Sequence, residues 1–180
     1  MTEPIIQNGY WIRPVGYVEG GITQTTSNSD EDMDPVERKE QVRRHHEMIK
    51  SHVSTLTLLP EYEELLDGIE AFSHIIVFFW PHELDRERLT LKKVHPMGRK
   101  DIPLQGIFAT RSPARPNPIL MSPVRLIQRQ GRQLRVQGLD ALDQSPILDL
   151  KPVIRKDDGI KDLIVPEWIL QIRRDLSGDE

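Results

Sequence analysis

Polar and apolar residues alternate at Thr55-Leu56-Thr57-Leu58, the period of a strand with one face buried. His74-Ile75-Ile76-Val77-Phe78-Phe79-Trp80 runs almost unbroken in apolar residues and predicts a central strand covered on both faces. β-Branched and aromatic residues over 10–19 predict a first strand that stops at Gly20-Gly21. Further strands are expected at 88–94, 107–110, 121–128, 132–137 and 147–151, with Gly131 marking a tight hairpin between two of them. Helical text is scarcer. Asp34-Pro35-Val36-Glu37 combines a cap, a proline at the first helical position and an acid three residues after the cap, so a helix is expected over 35–51. Its apolar positions (Val36, Val42, Met48, Ile49) are too sparse for a core stripe, which puts it on the surface or in a subunit contact. Residues 60–66 predict a short helix closed by Gly68. Residues 166–176 predict a last helix with Trp168, Ile169, Ile172 and Leu176 on one face. The polar, acidic stretch 23–34 reads as a loop. Many short strands with few long helices predict a mainly β chain, a compact antiparallel β-barrel with a few peripheral helices. The expected organisation is one domain over 1–180, with its core at about 10–153.

Composition sharpens this picture by exclusion. Hydrophobic residues make up 37% and charged residues 29%, a balance that suits a globular chain. No cysteine is present, which removes disulfides, thiolate metal sites and cysteine nucleophiles together. No apolar run approaches the roughly 20 residues of a membrane span, and no signal-peptide pattern is evident, so no membrane partner and a cytoplasmic location are expected. Net charge is −4, so any nucleic acid must be met by a local basic patch. Arg38, Lys39, Arg43, Arg44 and Lys50 on the expected helix, with His45 and His46, offer one such patch. Glu37, Glu40 and Glu47 dilute it, and a solvated helix face is at least as good a reading. His45 and His52 stand seven apart, the spacing of one helix face, without a third ligand, so no metal is expected.

Two segments carry candidate chemistry. Arg111-Ser112-Pro113-Ala114-Arg115-Pro116-Asn117-Pro118 places three prolines within six residues, which locks φ and removes three donors. The result is a stiff loop that displays Arg111, Arg115 and Asn117 with little freedom left to lose on binding. Guanidinium groups held this way suit a carboxylate or phosphate, or pair with acids of the barrel. The second segment, 139–152, carries Asp140, Asp143 and Asp149, which suit ribose hydroxyls or a nearby sulfonium. Asp149 and Lys151 stand two apart on one strand face, which an ordinary ion pair also explains.

GIFATRSPARPNPI and LDALDQSPILDLKP, in this order, closely resemble the signature pair of the TsaA-like family, whose known members are called TrmO or YaeB. Residues 68–75, GIEAFSHI, match a third block of that family. The resemblance implies a compact β-barrel methyltransferase, typically a homodimer with S-adenosyl-L-methionine near the subunit interface. It also implies tRNA as substrate, methylated on the exocyclic nitrogen of threonylcarbamoyl-adenosine just 3′ of the anticodon. Carried over position by position, Arg111, Met121, Pro81 and His82 fall on cofactor-contacting positions, as does the turn Asp143-Gln144-Ser145-Pro146. Methyl transfer would make the acceptor nitrogen acidic, so a nearby carboxylate is expected to take its proton: Asp149 is the candidate, with Lys151, Arg115 and Asn117 expected to orient the acceptor. Leu120 and Gln144 stand where the family has glycine. They are expected to add bulk at a close approach and to forbid a positive φ, respectively. Ser145 keeps the hydroxyl of the usual threonine, and Val153 replaces a tyrosine. Three classes of function fit: a tRNA methyltransferase, a methyltransferase for a small molecule or another modified nucleotide, and a cofactor-binding module without turnover.

Overall fold

Strands whose every second residue is apolar must curl around a shared interior or leave one face wet. In the computed structural model, which describes residues 5–7, 10–23, 33–154, 160 and 162–170, they curl. Among the described residues there are ten strands: β1 (Ile5–Gln7), β2 (Tyr10–Ile12), β3 (Gly16–Glu19), β4 (Val53–Leu58), β5 (His74–Phe79), β6 (Lys93–Val94), β7 (Gln105–Gly106), β8 (Leu120–Gln130), β9 (Gln133–Gln137) and β10 (Pro146–Pro152). Six of them close a barrel in the order β10-β3-β4-β9-β8-β5, every pair antiparallel. The interior is filled from alternate positions: Val18, Leu56, Leu58, Ile75, Val77, Val124, Leu134, Val136 and Ile147 are all buried. Strands β1 and β2 form a separate hairpin, as do β6 and β7.

Several expectations need correction. The first strand is two: Arg13-Pro14 breaks it, because proline has no N–H to give a ladder. Only β3 joins the barrel. Residues 74–80 are not covered on both faces. Ile75, Val77 and Phe79 point inward, whereas His74, Ile76 and Phe78 are half-exposed on the outside, since an all-antiparallel barrel has no helical layer to cover them. Residues 88–94 hold mostly a 3₁₀ turn (Arg86–Thr90) capped by the Asp85 carboxylate, which accepts from Glu87 N–H at 3.0 Å. Residues 107–109 are likewise 3₁₀, and the strand lies just before them as β7. Of the last helix, 167–170 is helical, and the remainder, with Ile172 and Leu176, lies outside the described residues.

The expected helix is present as α1 (Pro35–Ser51). The Asp34 carboxylate accepts from Val36 N–H at 2.9 Å and Glu37 N–H at 3.3 Å. Three of its basic residues, Arg38, Arg43 and Arg44, have protein partners. Arg43 and Arg44 both bond Glu40, and Arg43 also reaches Glu47. The hydrogen bonds from Arg43 and Arg44 hold the Glu40 carboxyl down at about 2. Arg38 is buried and donates to the Met97 carbonyl at 3.0 Å and to Gln41, so it anchors the 95–99 turn to the helix.

His74 begins β5 opposite Arg125 of β8, with its Nδ1 2.9 Å from Ser73 Oγ. Burial lowers its pKa below the usual imidazole value, and the positive field of Arg125 adds to this. Protonation is therefore easier in the unfolded chain, so this residue lowers stability as pH falls through the ordinary histidine range. His74→Gln is expected to flatten the fall in urea midpoint between pH 7.5 and 5.5. An unchanged slope refutes the assignment.

Candidate active site

The arginine-proline segment folds on itself. Thr110 Oγ1 donates to the Ile107 carbonyl at 2.9 Å, Ala114 N–H donates to Ser112 Oγ, and Arg115 N–H donates to the Pro113 carbonyl. Arg115 then stitches the loop from inside: its Nε donates to the Ser112 carbonyl at 2.9 Å and one Nη to the Thr110 carbonyl at 2.7 Å. Ala114 and Pro118 are buried beneath it. Arg111 is the contrast. It is exposed and makes no side-chain hydrogen bond or ion pair among the described residues. The Asn117 carbonyl accepts from Ile119 N–H at 2.8 Å and turns the chain into β8. In β8, Leu120 lies opposite Phe79 and packs against the barrel core, while Met121 lies opposite Phe78 and is 41% exposed. The bulk added at Leu120 therefore goes into the core and not toward an exposed site.

The Asp143–Pro146 turn is held from three directions. Asp143 Oδ1 accepts from Gly21 N–H at 3.3 Å, and Asp143 N–H donates to the Ile22 carbonyl. Gln144 N–H donates to the Val18 carbonyl at 2.7 Å, and the Ser145 carbonyl accepts from Val18 N–H at 3.1 Å. On the other side the Pro146 carbonyl accepts from Trp80 N–H at 2.9 Å. The buried Ser145 hydroxyl lies 3.4 Å from His82 Nδ1, with Glu83 3.8 Å from the other ring nitrogen. These bonds bring Pro81, His82, Ser145 and Pro146 to one end of the barrel, where β5 ends and β10 begins. Asp149 and Lys151 stand on the outer face, opposite Phe78 and Ile76. They form an exposed pair at 3.6 Å, with Lys151 Nζ 5.7 Å from the centre of the Phe78 ring. Asp149 Oδ1 also accepts from Leu150 N–H at 2.9 Å. Met121, Phe78 and Asp149 thus form one outward row across β8, β5 and β10.

Two backbone positions behave differently from the sequence reading. Gln144 adopts φ 60 although it carries a side chain, so the positive φ is not forbidden. Bonds to Val18 and to the Leu142 carbonyl through Ser145 hold the turn in that strained shape. Gln144→Gly is expected to raise stability by up to about 1 kcal/mol in urea unfolding, because relief of left-handed strain exceeds glycine's added chain entropy. A loss of stability would refute it. Gly21, read only as a strand end, is instead a contact point: a Cβ there would overlap Asp143 N and the Leu142 carbonyl carbon. Gly21→Ala is expected to cost about 1–3 kcal/mol, with ligand affinity lost alongside, since the turn must shift. A variant that melts and binds like the parent would disprove this. The doublet Gly20-Gly21 was the only signal in the sequence for this contact.

The side chains at this end suit a zwitterionic nucleoside. A free guanidinium (Arg111) matches a carboxylate, Met121 offers an exposed apolar surface for a ring, and the Asp143 carboxylate stands by a rigid turn. Among the described residues no group of three His, Cys, Asp or Glu could hold a metal ion, and no helix is long and apolar enough to cross a membrane.

The sequence profile described as the tRNA-methyltransferase O N-terminal domain matches residues 33–159. A protein of Methanothermobacter thermautotrophicus is 44% identical over 110 residues, 61% of this chain and 76% of that one. An Archaeoglobus fulgidus protein named an S-adenosyl-L-methionine-binding protein is 38% identical over 111 residues, 62% of this chain and 76% of its own. A crystal structure of TrmO superimposes with a TM-score of 0.58 at 30% identity, covering 84% of this chain but only 60% of the TrmO chain.

Proposed function

The chain belongs to the tRNA-methyltransferase O N-terminal domain family, and from that premise we propose that it is an S-adenosyl-L-methionine-dependent methyltransferase acting on tRNA. The observation that carries the reading is the contrast between the two loop arginines. Arg115 spends its donors on the loop, and Arg111 stands unpaired in a loop whose order is already fixed. When bound, S-adenosyl-L-methionine supplies an electrophilic methyl group on a sulfonium. Arg111 grips its carboxylate, Met121 covers the adenine, and Pro81, His82, Asp143, Gln144, Ser145 and Pro146 line its remaining surface. Holding donor and acceptor in line is most of the catalysis in such a displacement.

Asp149 takes the proton that the acceptor nitrogen releases as its bond to the methyl carbon forms. Lys151 and Asn117 orient the acceptor, and Arg115 acts on Asn117 through the shape of the loop. We take the acceptor to be the exocyclic nitrogen of threonylcarbamoyl-adenosine beside the anticodon, reached by a cytoplasmic homodimer. Labelled-methyl transfer into total tRNA from cells lacking the enzyme tests the reading. Incorporation at that nucleotide supports it. Transfer only to free nucleosides overturns the tRNA assignment, and no thermal stabilisation by millimolar S-adenosyl-L-methionine overturns all of it.

A further inference from the structure

Strand β3 leaves β10 early. They pair only at Tyr17 with Pro146 and Gly16 with Ile147, and Val15 N–H adds one last bond to the Ile147 carbonyl at 2.7 Å. β10 continues alongside β5 as far as Pro152. The barrel is therefore unzipped on one side over the second half of β10, and the gap holds a pocket of about 300 Å³. Its floor is aliphatic (Val15, Leu58, Leu66 and Leu150), and its sides carry three rings, Tyr62, Phe72 and Trp168. The Phe72 and Trp168 rings meet edge-on, with centroids 6.3 Å apart and planes at 79°. Leu65 and Trp168, 77% and 55% exposed, make an open rim.

None of the residues carried over for the donor lines this pocket, but Asp149 does, together with Asp67. Each carboxylate has a cation beside it: Arg129 3.0 Å from Asp67, and Lys151 3.6 Å from Asp149. Paired in this way the two carboxylates add no net charge, and their oxygens still accept from N–H donors. Aromatic walls take a flat ring, and a volume at the low end of ligand pockets admits one ring system.

We propose that this seam pocket binds a planar, amine-bearing aromatic ring of the nucleobase class, and that the acceptor's ring lodges there with its exocyclic nitrogen toward Asp149. The second half of the proposal rests on the methyltransferase reading; the first does not. Donor and acceptor then occupy opposite halves of β10, with Ser145-Pro146 at one end and Asp149 to Pro152 at the other.

The test uses the full chain saturated with S-adenosylhomocysteine, so that the donor site is filled, and follows adenosine binding by calorimetry with ribose 5-phosphate as the ringless control. Adenosine is expected to bind and ribose 5-phosphate not to. Tyr62→Ala is expected to weaken adenosine about tenfold, the loss of one stacking partner. Leu65→Trp, on the exposed rim where folding is not at stake, is expected to block the mouth to the same degree. Both variants should keep the parent's affinity for S-adenosylhomocysteine. Absence of adenosine binding with the donor site filled overturns the proposal, as does binding that neither variant weakens. A pocket that serves instead for an apolar side chain of a protein partner gives the first of those results. Failure of S-adenosylhomocysteine to bind at all refutes the methyltransferase reading, and adenosine binding that depends on Tyr62 and Leu65 would still uphold the pocket.

Discussion

Arg111→Ala is expected to weaken S-adenosyl-L-methionine binding about 30- to 150-fold, the value of about 2–3 kcal/mol that a charged hydrogen-bonding group contributes to a carboxylate. The prediction is sharp because Arg111 has no other duty. It is exposed and bonds no other described side chain or carbonyl, so its removal should leave the ligand-free melting temperature where it was. Arg115→Ala should behave differently: it loses two bonds to loop carbonyls and should lower both stability and affinity. Arg111→Lys keeps the charge without the planar fork and should recover only part of the binding. Calorimetric titration and thermal melts of the three variants separate the roles. Arg111→Ala binding as tightly as the parent refutes the donor assignment.

Asp149→Asn is expected to lower turnover about 10²- to 10⁴-fold, the usual contribution of a positioned general base, with cofactor affinity unchanged. The substitution is nearly isosteric, and its amide oxygen can still accept from Leu150 N–H, so local shape is kept. The lost pairing with Lys151 is exposed and contributes little. The effect should therefore fall on kcat and not on the dissociation constant of the donor. Labelled-methyl transfer measures the first and calorimetry the second. Full turnover by a variant that binds normally removes Asp149 from the chemistry.

The barrel was legible in the alternation of apolar residues, because a period of two is the geometry of the strand itself. Leu56 and Leu58, or Leu134 and Val136, announce their inward face with no help from the rest of the chain. Residues 74–80 were misread for the same reason: a short apolar run does not say whether its second face meets helices or solvent. Of the strand expected at 88–94 only β6 (Lys93–Val94) forms, because local pattern carries no information on whether a partner is present to receive the ladder. Helix α1 was legible through Asp34 and Pro35, whereas the fate of its cations was not, since Arg38 is buried by a turn sixty residues away in sequence.

The candidate site was legible by resemblance more than by physics. Three prolines declare a stiff loop, yet nothing in the sequence says which arginine braces it and which is presented. That division depends on where the Ser112 and Thr110 carbonyls point. Gly21 was missed because its neighbour is Asp143, 122 positions later. Of Tyr62, Phe72 and Trp168 only Trp168 was singled out, as part of an apolar helix face, and only the early parting of β3 from β10 makes the three the walls of a pocket.

The latch between Gly21 and Asp143 has a consequence for how the protein acquires its fold. The turn that carries Ser145 and Pro146 is shaped by Val18 of β3 and by Gly21 and Ile22 just after it, so it cannot form before nearly the whole barrel sequence has been made. Contacts of such long range form late, because closing so large a loop precedes any gain from it. Newly synthesised chains should therefore pass through a stage in which the β8–β9 hairpin is in place and the first strand is still searching. Ligand competence would then appear in the same kinetic step as barrel closure, and refolding followed by ligand capture should show a single slow phase shared with burial of the core.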